Sequence, residues 1–415
     1  MDNLYLFDMH DYGGAPPFRG QPYEKLLWLQ EHEPVSWSKD YFDGPGFWAV
    51  TRHGDVKATE SDFVTFSNEP TSLLHDENLH GDGVHKNVLF EDPPAHTEHR
   101  RFLQQEITAT NVRKLAPDVE RLVTEIIDDV CERGECDLTH DVSGPLAGYV
   151  TAELMGLPRE QMAEVFHLAE VINGSGSLTE GPGAEAMAGM GALAASVYED
   201  RRACPRGDLV SRIANGAYNG CPVDMPQFAL DFLVYADAGN DTTRNILSAG
   251  IEALCDFPEQ REILLSDLSL IPSAVEEILR FSAPIVYQRR TATKDVELHG
   301  EQIRAGDKVV VFYGAANRDP RVFASPNAFD VRRHPNPHLG FGSGRHFCMG
   351  AHIARLELQV MLRELLTRLP DIERAGPTSW LPDDPRICPV IVGPRRMPVR
   401  FTPAPRSADR RPAGV

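Results

Sequence analysis

The chain has 415 residues, 42 % of them hydrophobic, and a formal net charge of −20. That charge disfavours nucleic acid and anionic membrane surfaces as partners, because both are themselves negative. No apolar run reaches the roughly 18–20 residues that span a bilayer, and MDNLYLFDMHDYGGAPPFRG lacks the basic-then-apolar order of a secretion signal, so a cytoplasmic protein without a membrane span is expected.

Along the chain, GFWAVTRHGDV (46–56) reads as a short strand running into a turn. The loop TSLLHDENLHGDGVHKNVLF (71–90) is polar, and its three histidines are expected to face solvent. Helical periodicity dominates from about residue 94. In VERLVTEIIDDVCERG (119–134) apolar residues recur at three and four from Val119 to Val130, and Gly134 supplies a stop. NGSGSLTEGPGAEAMAGMG (173–191) is rich in small residues but lacks both GxGxxG spacing and a preceding strand, so it reads as a mobile surface lid rather than a phosphate loop.

A long helix is expected from Asp224 and Pro226 to about Phe257, some 45 Å at 1.5 Å per residue. It is interrupted by AGNDTT (238–243), where Gly239 costs about 1 kcal/mol against alanine and Thr242 and Thr243 can bond backward and loosen a turn. SAVEEILRF (273–281) shows a capping-box pattern in Ser273 and Glu276, and Pro284 forces a stop. DVELHGEQIRAGDKVVVFY (295–313) predicts a hairpin turning at His299–Gly300, then another strand. The last helix opens near Cys348 and runs through ARLELQVMLRELLTRL, after which APRSADRRPAGV (404–415) is expected to be disordered. One mainly helical domain with small β-sheets over 1–403, large enough to wrap a big prosthetic group, is the simplest reading.

The seven cysteines are scattered, and Cys131 and Cys136 have neither the spacing of a zinc site nor a matching second pair. Cys348 stands apart, within FGSGRHFCMG (341–350). As a nucleophile it would need a base, and His346, two residues away on an extended loop, points elsewhere. As a zinc ligand it lacks companions. As an axial ligand to haem iron it needs only a shielded thiolate. A helix N-terminus and free N–H groups favour that thiolate. Gly342, Gly344 and Gly350 let the loop pass flat beneath a macrocycle, and Phe341 shields the sulfur.

FGSGRHFCMG resembles the haem-binding loop of the haem-thiolate monooxygenases, the cytochrome P450 family; Phe341, Gly344, His346, Cys348 and Gly350 fill its fixed positions. EILR resembles the family's ExxR in Glu277 and Arg280, and FDVRR the segment giving a second arginine, Arg333, to that carboxylate. DPPAHTEHRR resembles the propionate-binding helix, through His96 and Arg100. QRRTATKDVEL resembles the strand that adds Arg290, with Arg289 its one-residue rival. AGNDTT resembles the oxygen-activating kink: Ala238 and Gly239 would leave room for dioxygen, Thr242 would supply a hydroxyl, and Asp241 would relay protons.

The resemblance spans roughly residues 15–403 and implies the cytochrome P450 fold, haem b held through Cys348, and a monomeric monooxygenase. It leaves no flavin or iron–sulfur region, so electrons are expected from a ferredoxin and its reductase, with NAD(P)H acting only through the reductase. Arg101, Arg113, Lys114, Arg345 and Arg355 are candidates for a basic docking face. The substrate pocket is expected at Leu233, Val234 and Ala238, with Ile285 and Val286 over the haem and Tyr287 or Gln288 able to bond a substrate oxygen. GFWAVTRHGDV, AGNDTTRN and NPHLGFGSGRHFCMGAHIARLE look most similar to bacterial members that hydroxylate terpenes, sterol side chains and branched lipids. A compact apolar terpenoid or steroid-like substrate is therefore expected. The alternative is a tailoring oxidation of a secondary metabolite, aromatic or carrier-bound. Outside haem proteins, the rival is a non-catalytic small-molecule-binding protein, which would purify without a red chromophore.

Overall fold

The computed structural model describes residues 18–39, 44–74, 85–173, 179–218, 220–380 and 390–409. A five-stranded sheet, in the order β1-β2-β10-β7-β3, anchors one side of the molecule. Its strands are β1 (Val35–Ser38), β2 (Phe47–Val50), β3 (Phe66–Ser67), β7 (Tyr287–Ala292) and β10 (Lys308–Phe312). β2 and β10 run parallel and the other pairs antiparallel. Pairing of Arg290 with Val309 sets the register of β7. β8 (Val296–Leu298) and β9 (Glu301–Ile303) form the expected hairpin, with His299 and Gly300 at positive φ (53° and 85°) in its two-residue turn. β4 (Glu135–Asp137), β11 (Glu373–Arg374) and β12 (Pro398–Arg400) make a second sheet, and β5 (Ala217–Tyr218) and β6 (Cys221–Pro222) a third.

The remaining regular structure is helical. α1 (Tyr23–His32) and α2 (His53–Ser61) flank the large sheet. α3 (Ala95–Leu103) precedes α4 (Ala109–Val130), which Thr108 caps by accepting a hydrogen bond from the Asn111 N–H. α4 buries Val119, Leu122, Val123, Ile126, Ile127 and Val130, the stripe that the sequence period predicts. α5 (Gly144–Met155), α6 (Arg159–Asn173), α7 (Gly181–Ala203) and α8 (Leu209–Ala214) follow. α9 (Met225–Ala238) starts at Asp224, whose side chain accepts from the Gln227 N–H, and leads to α10 (Asp241–Asp256). After these come α11 (Pro258–Ser266), α12 (Ile271–Ser282), α13 (Tyr313–Ala316) and α14 (Ala351–Arg368). The largest core joins α4, α5, α10, α12 and α14 through residues such as Ile127, Val150, Ile251, Leu279 and Leu362. Each aliphatic side chain buried there contributes about 1.5–3 kcal/mol. No helix of the described residues is long and apolar enough to cross a membrane.

Several expectations change. The long helix divides at Gly239 and Asn240, where the Thr242 hydroxyl takes the Ala238 carbonyl at 2.9 Å. The segment 181–191, expected as a lid, is the first half of α7: Pro182 starts the helix, and small residues allow close packing on α6. A Cβ at Gly189 would come within 3.1 Å of Leu168. Residues 174–178 lie outside the described residues. Ser273 is not a cap; α12 begins two residues earlier, and Ser273 donates to the Val331 carbonyl at 2.6 Å. Of the three loop histidines, His75 and His80 lie outside the described residues, and His85 is half-buried against Asp224 (2.9 Å) rather than facing solvent.

The segment placed in a disordered tail is held as far as Ser407. Arg368 donates to the Pro405 carbonyl (3.0 Å) and to Ser407 (3.1 Å), and Asp128 accepts from the Ser407 N–H (2.9 Å). Residues 410–415 lie outside the described residues.

Candidate functional site

The cysteine loop folds back on itself before α14. Cys348 donates its N–H to the Phe341 carbonyl (2.9 Å), and Gly342 and Gly344 take φ of +67° and +66°. A side chain at Gly344 would be strained in φ and would place its Cβ 2.4 Å from the Glu60 carbonyl oxygen. Gly350 has an ordinary φ of −81° and only van der Waals neighbours, so its need for glycine does not come from the protein around it.

Cys348 is accessible by area, yet burial is the main influence on its thiol. Burial pushes the thiol pKa up, against the N–H of Gly350, Arg100, Arg355 and the N–H of Ala351, which pull it down. The helix terminus favours the thiolate as expected but does not prevail in the bare thiol; a bound cation would. Phe341 is buried, packs edge-on against Phe347 (6.0 Å), and carries the Arg355 guanidinium 4.6 Å above its ring.

Two arginines, Arg100 and Arg290, and two histidines, His96 and His346, gather beside the loop. His96 and His346 stack at 4.0 Å between ring centroids. Arg100 donates to the Phe347 carbonyl at 2.5 Å, and His346 Nε2 pairs with the Glu91 carbonyl at 3.0 Å. Burial, with Arg100, His99 and Arg345, lowers the His96 pKa to about 4; burial, with His96, Arg290 and Arg100, lowers that of His346 to about 2. β7 separates the two arginines: Arg289 turns to the Leu73 and Leu74 carbonyls, and Arg290 faces the cluster. Buried His96 Nδ1 has no hydrogen-bond partner. Two arginines beside a pair of imidazoles, one with an unpartnered ring nitrogen, fit an incoming dianion, which is what the two propionates of haem present. The accessible Cys348 beside them completes a cradle that the group fits.

The ExxR pair is a buried junction. Glu277 and Arg280 are both fully buried and bond twice, at 2.7 and 2.8 Å. Glu277 also accepts from Arg333 Nε (3.0 Å), the Asp330 N–H (2.9 Å) and Asn336 (3.2 Å). Arg280 donates onward to the carbonyls of Asn317, Pro326 and Ala328.

On the distal helix pair, Ala238 is exposed and Leu233 and Thr242 half-buried, while Val234 is 5 % exposed and packs into the core of α6–α9. Gly239 does not open space toward an oxygen site: its missing Cβ would stand 2.6 Å from the Thr151 hydroxyl of α5, so its role is helix packing. Asp241 is nearly buried and paired with Arg244 at 3.1 Å. Ile285 is half-buried, bridging to Ile391. Val286 and Tyr287 are corrections: both are fully buried among Leu26, Leu29, Phe47 and Phe312, and the Tyr287 hydroxyl accepts the Leu74 N–H. They line the sheet core, not a pocket.

Two sets of buried groups escaped the sequence reading. His99 lies between Glu91 (Nδ1–Oε2 2.9 Å) and Asp231 (Nε2–Oδ1 2.8 Å), stacked on Tyr218 at 4.5 Å. Gln227 also donates to Asp231 at 3.0 Å. Glu60, at the end of α2, meets Arg290, Tyr313 and Ser343. The only sequence signal for either was His99 directly beside the candidate propionate helix residues.

The fold and this cradle define a haem-thiolate protein. Residues 256–370 match the cytochrome P450 family. The chain is 36 % identical to the steroid C26-monooxygenase of Mycobacterium tuberculosis over 91 % of this chain and 93 % of that protein. It is 37 % identical to the methyl-branched lipid omega-hydroxylase of the same species, over 79 % of each. Cytochrome P450-terp of a Pseudomonas species is 31 % identical over 92 % and 94 %. A Mycobacterium marinum cytochrome P450 solved in complex with pseudoionone superposes with a TM-score of 0.85 at 33 % identity, covering 95 % and 97 %. The chain belongs to the cytochrome P450 family and is a haem-dependent monooxygenase of its bacterial type.

Proposed function

We propose that this monooxygenase hydroxylates an unactivated C–H bond of a compact apolar molecule, terpenoid or steroid-like, using electrons from a ferredoxin and its reductase. The observation that carries the substrate reading is the apolar character of the accessible or half-buried residues expected at the pocket, Leu233 and Ala238 on α9 and Ile285 after α12. The relatives named for steroid and branched-lipid hydroxylation, and the structural neighbour holding pseudoionone, support the same class.

When bound, haem supplies the redox chemistry: dioxygen takes two electrons and two protons, one oxygen atom enters the substrate and the other leaves as water. The residues of this chain do the rest. Cys348 holds the iron, with Phe341 and its Arg355 cover keeping water from the sulfur. His96, Arg100, Arg290 and His346 hold the propionates. Glu277, Arg280 and Arg333 fix the segment leading into the cysteine loop. The Thr242 hydroxyl donates to the Ala238 carbonyl, which leaves its oxygen oriented to accept a proton-bearing partner. Asp241, held by Arg244, is the acid that passes protons inward from solvent.

For the ferredoxin, Arg101, Arg113, Lys114 and Arg345 remain candidates. Arg355 leaves that set because its Nε–Nη2 edge is engaged by Glu276, at 2.7 and 2.8 Å, and its face lies on the Phe341 ring. Docking through exposed cations weakens with salt, so a ferredoxin affinity that ignores ionic strength would count against it.

The substrate test is a titration of the ferric protein with monoterpenes, steroids, fatty acids and simple aromatics, following the Soret band. A blue shift with terpenoids or steroids is expected. Shifts only with aromatics, or none in a haem-loaded protein, would favour the tailoring reading, in which a larger or carrier-tethered substrate is oxidised.

A further inference from the structure

Glu60 closes α2, and nothing in HGDVKATES marks it as more than a surface acid. Its side chain is nonetheless 2 % exposed, as is that of Arg290. Oε1 accepts from the Arg290 guanidinium at 3.2 Å and from the Tyr313 hydroxyl; Oε2 accepts from the Ser343 hydroxyl at 2.9 Å. One carboxylate thus joins β7, α13 and the cysteine loop. The backbone is equally close, since Gly344 packs directly on the Glu60 carbonyl.

A buried carboxylate and guanidinium lose their hydration, and only complete pairing offsets that cost. Glu60 is well satisfied, with three donors. Arg290 is shared: one nitrogen donates to Glu60, and another to the Arg289 carbonyl at 2.9 Å. A guanidinium carries five donors in a rigid planar fork, so fixing two of its nitrogens fixes the direction of the rest.

We propose that Glu60 is a positioning residue for the haem, holding the Arg290 guanidinium edge-on so that its remaining donors meet a propionate, and tying that arginine to the cysteine loop through Ser343. The inference rests on Arg290 serving a propionate. It carries an electrostatic corollary. Reduction adds an electron to the haem, and a fixed, desolvated negative charge beside it opposes that electron. Glu60 therefore lowers the reduction potential of the iron.

The test is Glu60→Gln, which keeps shape and an acceptor oxygen and removes the charge. Two quantities are read on the haem-loaded protein: the midpoint potential, and the rate of haem transfer to apomyoglobin. The potential is expected to rise. Haem loss is expected to quicken about tenfold, the loss of one charge-assisted hydrogen bond. The Soret band of the carbon monoxide adduct should not move, since the thiolate is untouched. A potential and a loss rate equal to the parent's would overturn the inference. Should E60Q fail to take up haem, Arg290→Lys decides: it keeps the charge but not the fork, and should also lose haem faster, whereas parental retention would refute a shared, oriented guanidinium. Arg290→Gln separates the two levels. Parental haem retention in R290Q would remove the propionate reading itself; faster loss in R290Q with none in E60Q and R290K would leave that reading standing and sink the role of Glu60.

Discussion

The buried His99 makes a quantitative claim about pH. Its ring is fully buried, and burial alone would favour the neutral form. The hydrogen bonds and charges of Asp231 and Glu91 outweigh burial and raise its pKa to about 9. Burial also pushes the Asp231 carboxyl up, against the pull of the imidazole; with two carboxylates on one ring, the imidazolium remains the favoured state. From an ordinary 6.5 to about 9 is worth up to about 3 kcal/mol at about 1.4 kcal/mol per unit. The sign follows from the raised folded-state value. The contribution is complete below about pH 6.5, where the unfolded ring is also protonated, and is lost as pH rises through about 9. The assay is the urea midpoint of the haem-loaded protein from acid to alkaline pH, for the parent and for His99→Gln. The parent's advantage should be largest at the acid end of that window and should shrink toward its alkaline end. A difference that stays constant with pH would show that folding does not raise the pKa of the ring, and would refute the charged pairing with Asp231 and Glu91.

Other substitutions test the remaining parts. Glu277→Ala leaves two buried arginines without their carboxylate, a change expected to cost about 3–5 kcal/mol and to abolish haem incorporation; a variant that purifies with full haem content contradicts the assignment. Thr242→Ala should retain haem and substrate binding but divert electrons to hydrogen peroxide, measured as product formed per NAD(P)H consumed. Unchanged coupling removes Thr242 from the proton path. Gly239→Ala forces a methyl against the Thr151 hydroxyl and should destabilise by about 1–3 kcal/mol, with recovery in the double variant carrying Thr151→Ala. The same loss in both backgrounds would place the strain elsewhere.

What could be read from sequence was whatever chemistry ties to fixed local spacing. Cys348 among its glycines, Glu277 one turn before Arg280, and Thr242 at the helix break each declare themselves within ten residues. Val286 and Tyr287 misled because the segments that cover them come from elsewhere in the chain: the Val286 N–H bonds to the Val390 carbonyl, Tyr287 pairs with Phe312, and both side chains enter one apolar core. Glycine was over-read at 239, where the neighbouring helix, invisible in the sequence, sets the requirement. Glu60 and His99 were illegible for a related reason. Arg290 stands 230 residues from Glu60 and Asp231 132 from His99, and an acid or a histidine on a short polar helix looks like solvated surface until those partners arrive.

The junction under the cysteine loop has an implication for sequence drift. From Asn317 to Ser343 the chain forms no helix or strand among the described residues. Arg280 and Arg333 hold it by grasping carbonyls of Asn317, Ala324, Ser325, Pro326 and Ala328, and Glu277 by taking the Asp330 N–H. Main-chain atoms are the same in nearly every amino acid. The stretch can therefore exchange most of its exposed side chains while keeping its path, as long as the three charged residues that read the backbone stay unchanged. Mutational tolerance and structural order, which usually oppose one another, coexist here because the order is imposed through main-chain atoms, by Glu277 and Arg280 from α12 and by Arg333 within the segment.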